Sequence, residues 1–314
     1  MYMEDLTTEA GQTDAEKFFE YVLWCVEQNI SEPVPERKEP VEDAYVRCLP
    51  ESPKKHGKDV VIVADLAPED RVLDAKIRDF QAACAYPTRL VNIREYPFKG
   101  GCLGCFHCAG DGKCIYTDGF DTFLREKIQR ADAIVLAFRV QDHSMGPRFK
   151  TYDDRQFCNG HRTVTEGTPF AYLVAGDLSG EENLKNVIDA RCQVGHNFLA
   201  GIGTDGASIS AAARRLTYSL EHGYVQPRNF WGVGGMKIFR DLIWMMRGLM
   251  KADHEFYKAH GVYDFPQKQR GKMMGMCLLG AMVRNPKIRA KMGNKFNEGM
   301  AAPYEKVVSQ AKPK

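Results

Sequence analysis

No stretch of the 314-residue chain reaches the roughly eighteen consecutive apolar residues that a membrane-spanning helix needs. The nearest approach, MMGMCLLGAMV at 273–283, is too short and lies between Lys272 and Arg284, so a buried or oligomer-forming helix is expected there. An export leader is not expected either. The first thirty residues are acidic, and DAEKFFEYVLWCVEQN reads as an amphipathic helix rather than an unbroken apolar core. Net charge is small, +2 formally, which removes the basic surplus that marks a nucleic-acid binder. Internal repeats and low-complexity segments are absent, and no G-x-G-x-x-G follows a strand to announce a dinucleotide site. With 44% hydrophobic and 27% charged residues, the composition is that of an ordinary globular protein.

Charge is uneven locally. Met1 to His56 carries thirteen acids against six bases, and Gln267 to Lys314 carries eleven bases against two acids. These ends are either solvated faces or surfaces that meet each other, within or between subunits. Three regions are expected: an acidic N-terminal extension at 1–56, an α/β domain at 57–227 and a basic, mostly helical C-terminal extension at 228–314.

The middle region alternates. KDVVIVADL (58–66) is a continuous apolar run rich in β-branched residues, as a strand buried on both faces requires. PEDRVLDAKIRDFQAACA follows with helical spacing, Pro68 and two acids standing at its start. TRLVNIRE (88–95), ADAIVLAFRV (131–140) and TPFAYLVAGDL (168–178) supply three more strands, and NFLAGIGTDG a fifth. Helices are expected at about 120–131, between Gly180 and Gly195, and over ASISAAARRLTYSLEHG. This rhythm predicts a doubly wound, parallel, five-stranded sheet with helices on both faces. Ligands of such sheets bind beyond the carboxyl ends of the strands, so the loops after residues 66, 95, 139 and 175 should share one rim. Beyond residue 227 the alternation stops, and GGMKIFRDLIWMMRGLMKADHEFYKAHG reads as one long helical pattern. Its Arg240, Asp241, His254, Tyr257, His260 and Tyr263 belong either to a charged helix packed on the sheet or to a cover over the rim.

Cysteine is abundant. Ten are present, and without an export leader they point to a reducing, cytoplasmic setting where clustered thiols bind metal. Six are scattered and read as small buried hydrophobes. The other four fall within thirteen positions of a glycine-rich loop at 100–118, within the stretch GGCLGCFHCAGDGKCIYTDGFD (100–121), spaced C-x2-C-x2-C-x5-C. Three cysteines three apart can wrap three corners of a cubane, and a fourth closes the last. A single zinc usually takes two knuckles a dozen or more residues apart. Cys102, Cys105, Cys108 and Cys114 are therefore the candidate ligands of one [4Fe–4S] cluster, with a structural zinc or unmetallated thiols as the other readings. His107, inside the loop, is expected beside the centre or exposed rather than bound to it.

That cysteine loop beyond a second strand, together with FLREKIQRADAIVLAF, FKTYDDR and VAGDLSGEENL, resembles the iron–sulfur flavoprotein family within the wider NAD(P)H-dependent FMN reductases. The likeness covers roughly 58–222. It implies a flavodoxin-like fold, FMN beside the [4Fe–4S] cluster, and a homodimer or homotetramer in which a cluster lies near the neighbour's flavin. Carried onto this sequence, the flavin side of the rim would be Arg139, His143, Ser144 and Arg148 after the third strand and Gly176, Asp177 and Gly180 after the fourth. The first loop departs from the family. ADLAPEDR has no glycine, serine or threonine to cradle a phosphate, Pro68 removes a donor, and Glu69 and Asp70 repel an anion. RVQDHSMGPR also lacks the family's proline-aromatic-glycine pattern.

The leading expectation is thus an oxidoreductase or electron carrier passing electrons between a [4Fe–4S] cluster and FMN, or a substrate in the flavin's place. From a different class comes a non-enzymatic relay or adaptor subunit that keeps the cluster without flavin. A redox partner protein fits either; a membrane span and nucleic acid fit neither. A zinc-stapled binding protein is the third reading.

Overall fold

A computed structural model describes residues 6–30 and 44–310. Their contacts divide the chain into two units, Met1–His254 and Glu255–Lys314.

The first unit begins with α1 (Glu9–Glu27), capped by the Thr8 hydroxyl, which accepts from the Gly11 N–H at 3.1 Å. Then come β1 (Val60–Ala64), α2 (Arg71–Ala83) and β2 (Thr88–Asn92). The short turns α3 (His107–Asp111) and α4 (Phe120–Phe123) follow, and α4 runs on into a wider π turn through Ile128. Beyond them lie β3 (Ala133–Arg139), α5 (Pro147–Arg155), β4 (Phe170–Ala175), α6 (Glu182–Gly195), β5 (Leu199–Gly203) and α7 (Gly206–His222). The five strands form one sheet in the order β2-β1-β3-β4-β5, parallel throughout, and this is the flavodoxin-like arrangement.

The apolar runs explain the layering. Every residue of β1 is buried, because its odd and even side chains each meet a layer of helices. On one face Val61 and Val63 join Leu124 and Ile128 from the π turn after α4, Phe149 and Tyr152 from α5, and Ile188 and Cys192 from α6. On the other, Val60 and Ile62 join Leu73, Ile77 and Phe80 of α2 and Ile209, Ala213 and Leu216 of α7. An Asp205–Ser208 capping box starts α7. With helices on both faces, the loops beyond β1, β3 and β4 share the carboxyl edge.

The segment just before β1 is stitched to α2 by one buried carboxylate. Asp79 accepts from the Tyr45 hydroxyl at 2.5 Å and from the N–H groups of Cys48 and Leu49 at 2.9 and 3.0 Å. Burial works to raise its pKa, but these donors hold it below the ordinary carboxylate value. Lys54 closes the other end of α2, donating to the carbonyls of Gln81, Ala82 and Cys84. A cation there satisfies orphan carbonyls and opposes the helix dipole.

One expectation is corrected beyond residue 227. The long helical pattern is two helices, α8 (Phe230–Met245) and α9 (Lys251–Ala259), and the turn between them contains Gly248, which weakens helix continuity. α8 packs on α6 at close range: a Cβ on Gly232 would lie 2.6 Å from the Gln193 carbonyl oxygen.

The second unit holds the end of α9, then α10 (Arg270–Val283) and α11 (Pro286–Gln310). MMGMCLLGAMV lies within α10, where no residue is buried, so the expectation of a buried helix is not met within this chain. A helix apolar all round needs more cover than a single neighbouring helix offers. Among the described residues no helix is long and apolar enough to cross a membrane.

Replacing Asp79 by Ala leaves the Tyr45 hydroxyl and two backbone N–H groups without their acceptor. The expected loss is about 2 kcal/mol of stability in urea denaturation, with residues 44–56 becoming the first site cut in limited proteolysis.

Candidate functional site

The cysteine loop leaves the carboxyl end of β2 through an aromatic cluster. Tyr96 packs against Phe98, Phe120 and Phe123 with ring centroids 4.6–5.5 Å apart. Its hydroxyl donates to the Asp118 carbonyl at 2.6 Å, which brings the two stems of the loop together.

One guanidinium then grips the loop from beneath. Arg155, at the end of α5 and 1% exposed, donates through Nη1 to the Gly100 carbonyl at 2.9 Å and to Asp118 Oδ2 at 2.9 Å. Nη2 donates to Asp118 Oδ1 at 2.8 Å and approaches Cys114 Sγ at 3.8 Å. The same group lies over the rings of Tyr116 and Phe120. Burial alone would raise the Asp118 pKa, but the Arg155 fork and the N–H groups of Lys99 and Phe120 bring it down to about 2. Both charges are therefore fixed at neutral pH, in a bidentate pair.

All four cysteines line one cavity of about 400 Å³, with Leu103, Phe106, Tyr116, Arg155 and Phe157 among its walls. Cys108 sits on α3 and its thiol donates to the Phe157 carbonyl at 3.0 Å. Burial pushes the Cys108 thiol pKa up, and pushes that of Cys158, behind it, up to about 12. Cys158 is thereby a protonated wall residue. His107 is exposed, as expected. Among the described residues no three Cys, His, Asp or Glu side chains are drawn to metal-ligand spacing, so the thiols share a cavity without closing on a common point. The residues nevertheless fit a cysteine-held cluster. The donor set is four thiols, and Arg155 Nη2 stands 3.8 Å from Cys114 Sγ as a donor to sulfur.

The loop is also clasped from the C-terminal side by residues that the sequence did not single out. Asp253 on α9, fully buried, accepts from the His161 N–H at 3.1 Å, His161 Nδ1 at 3.0 Å and Arg162 Nη1 at 3.0 Å. Arg162 passes the contact on to the carbonyls of Cys108 and Cys158. Gly160 adopts φ +59°, and a Cβ there would strike the Asp253 carboxylate. No local pattern marks these partners, which lie more than ninety positions apart.

The flavin-side candidates do gather on one edge, since β3 and β4 are neighbours. Val140 donates to the Ala175 carbonyl at 2.9 Å, and His143 Nδ1 lies 3.0 Å from Glu181, linking the two loops. Ser144 closes a tight turn with Gln141, and Arg148 reaches toward the Arg94 carbonyl at 3.5 Å. Gly176 has φ +91°, Asp177 accepts from the Ser179 N–H at 2.8 Å, and Gly180 has open space around its Cα. Arg139 turns to the first loop. Its Nη2 lies 2.6 Å from Asp70 Oδ1 and its Nε donates to Asp70 Oδ2 at 2.8 Å. Asp70 in turn caps α2, accepting from the Leu73 N–H at 3.0 Å. Burial opposes the Asp70 charge, but Arg139 and the capped N–H hold its pKa below the ordinary value. Asp65, at the end of β1, is nearly buried and pairs with Arg94 at 2.7 Å. Burial pushes the Asp65 pKa up despite Arg94 and Arg148. The start of α2, where FMN's phosphate would be held, thus carries carboxylates and does not fit that group.

Fold and site together define a flavodoxin-like α/β protein with a four-cysteine loop beyond its second strand. No family model matches the chain. A protein named iron–sulfur flavoprotein from Archaeoglobus fulgidus is 26% identical over 223 residues, covering 67% of this chain and 96% of the relative. The chain is a homologue of that iron–sulfur flavoprotein, and the resemblance read from the cysteine motif is borne out. Solved structures also align over about half of the chain. They include a flavone reductase (TM-score 0.41, 11% identity, 54% of this chain and 66% of that one) and the NAD(P)H:quinone oxidoreductase of Methanothermobacter marburgensis (TM-score 0.40, 12% identity, 55% and 100%).

Breaking the loop anchor has a defined signature. Asp118→Ala strands a buried guanidinium, and a loss of about 3–5 kcal/mol is expected in chemical denaturation. The carboxyl pKa is about 2 in the folded chain and near 3.9 unfolded. The pair's contribution is therefore complete above the unfolded value and lost as pH falls toward 2. Acid unfolding of the wild type should show this dependence, and the variant should lack it.

Proposed function

We propose that the chain is a redox protein of the iron–sulfur flavoprotein type. In this reading Cys102, Cys105, Cys108 and Cys114 hold one [4Fe–4S] cluster, and the rim beyond β3 and β4 receives a flavin or a substrate in its place. The observation that supports it most is the convergence of all four thiols on one cavity beside a buried arginine. Such a cluster supplies one-electron transfer. The chain's own part is to hold the loop and tune its charge. Arg155 keeps a cation against Cys114, where it offsets the negative charge of four thiolates, and Asp118 keeps that cation oriented. Leu103, Phe106 and Phe157 supply apolar parts of the cavity wall. Arg162 and Asp253 tie the far side of the loop to α9.

One observation favours a second reading, a relay or adaptor subunit with the cluster and no FMN: Asp70 and Arg139 are committed to each other where a phosphate would lie. An assembly of two or four copies, a redox partner protein and a cytoplasmic setting are parts of the same proposal.

The test is anaerobic purification with an absorption spectrum, counting iron, acid-labile sulfide and acid-released flavin on one sample. About four irons and four sulfides with a broad band near 400 nm are expected for a cysteine-held cubane. A colourless chain with one zinc and no sulfide would overturn the proposal. Cys105→Ser should lose the visible absorption and keep the thermal transition of the sheet, because no strand or core helix contains the loop.

A further inference from the structure

We infer that Asp70 is a built-in replacement for a ligand phosphate, so that this rim takes its ligand unphosphorylated, riboflavin rather than FMN among flavins. The inference rests on the reading of the rim as a flavin edge and deepens it.

The start of a helix that follows a sheet's first strand offers two things to a phosphate: outward N–H groups and, where one is near, a guanidinium. Here the guanidinium and one of those N–H groups are taken by one carboxylate of the chain itself. Asp70 Oδ1 accepts from the Leu73 N–H at 3.0 Å and lies 2.6 Å from Arg139 Nη2, while Oδ2 receives Arg139 Nε at 2.8 Å. The Asp70 side chain is only 9% exposed and Arg139 32%, so the carboxylate is set into the edge while its guanidinium partner stays partly open to solvent.

Register explains why these two meet. β1 and β3 are adjacent and parallel, with Ala64 beside Ala137, so Arg139 leaves the sheet beside the loop that leads to Asp70. A second carboxylate, Asp65, stands in the same loop and is paired with Arg94. The rim's best-placed cations are thus matched to the chain's own anions. A dianion arriving at α2 would have to displace Asp70 or share its space. Carboxylates accept hydrogen bonds from hydroxyl groups readily, so an uncharged polyol tail meets no such conflict.

The experiment follows riboflavin and FMN binding by flavin fluorescence quenching, for wild type, Asp70→Ser, Asp70→Asn and the double variant Asp70→Ser/Arg139→Gln. Serine and asparagine are both good N-caps, so α2 keeps its cap in each variant. Iron and sulfide are counted on every sample, which reports on the cysteine loop independently of flavin. Wild type should bind riboflavin at least as tightly as FMN. Asp70→Ser should gain about tenfold or more for FMN, with riboflavin nearly unchanged. Asp70→Asn should gain less, and Arg139→Gln in the serine background should remove the gain.

A wild-type preference of about tenfold or more for FMN over riboflavin would overturn the inference while keeping the flavin reading. So would an Asp70→Ser variant whose two affinities move together or not at all. Absence of binding of either flavin to every variant overturns the flavin reading of the rim, and this inference with it.

Discussion

The cysteine loop depends on one buried ion pair. Nineteen residues with almost no regular structure have no hydrogen-bond ladder of their own to give them shape. The Arg155–Asp118 fork supplies that shape by fixing both stems and touching the third point at Cys114. Buried pairs add little net stability over apolar alternatives, yet an unpaired member is costly. What the pair contributes is therefore geometry: the loop has one position in which both charges are satisfied. Arg155 can stand there because α5 is anchored in the core through Phe149 and Tyr152.

The two halves of the carboxyl edge show opposite chemistry. At the cysteine loop the chain sets a buried cation against Cys114, in the cavity that all four thiols line. At the start of α2 it answers its own cation with its own carboxylate. The same sheet edge thus carries a cation beside thiols on one side and a cation matched to a carboxylate on the other. This contrast is specific to the residues at each strand end; the fold permits either.

The inner strands were legible because each is a run of β-branched and apolar residues long enough to be buried on both faces, as VVIVA and AIVLAF show. The cysteine loop was legible because its spacing is local. Arg155 was visible only as part of a motif, since its partner Asp118 lies 37 positions away and no periodicity links them. The acids of ADLAPEDR were visible in the sequence, but the partner of Asp70 was not. The pairing goes to Arg139 because parallel strands bring distant positions to one edge. Asp253 left no trace at all, being one acid in a charged helix.

Asp253 also sets an order of events during synthesis. Chains are made from the amino end, and Asp253 is joined 145 residues after Cys108. Until then Arg162 and His161 have no anion to meet, and the far wall of the thiol cavity lacks its fastening. The four thiols are therefore all made before the buried carboxylate that fastens the far wall of their cavity, so that wall takes its final form only after α9 has been added.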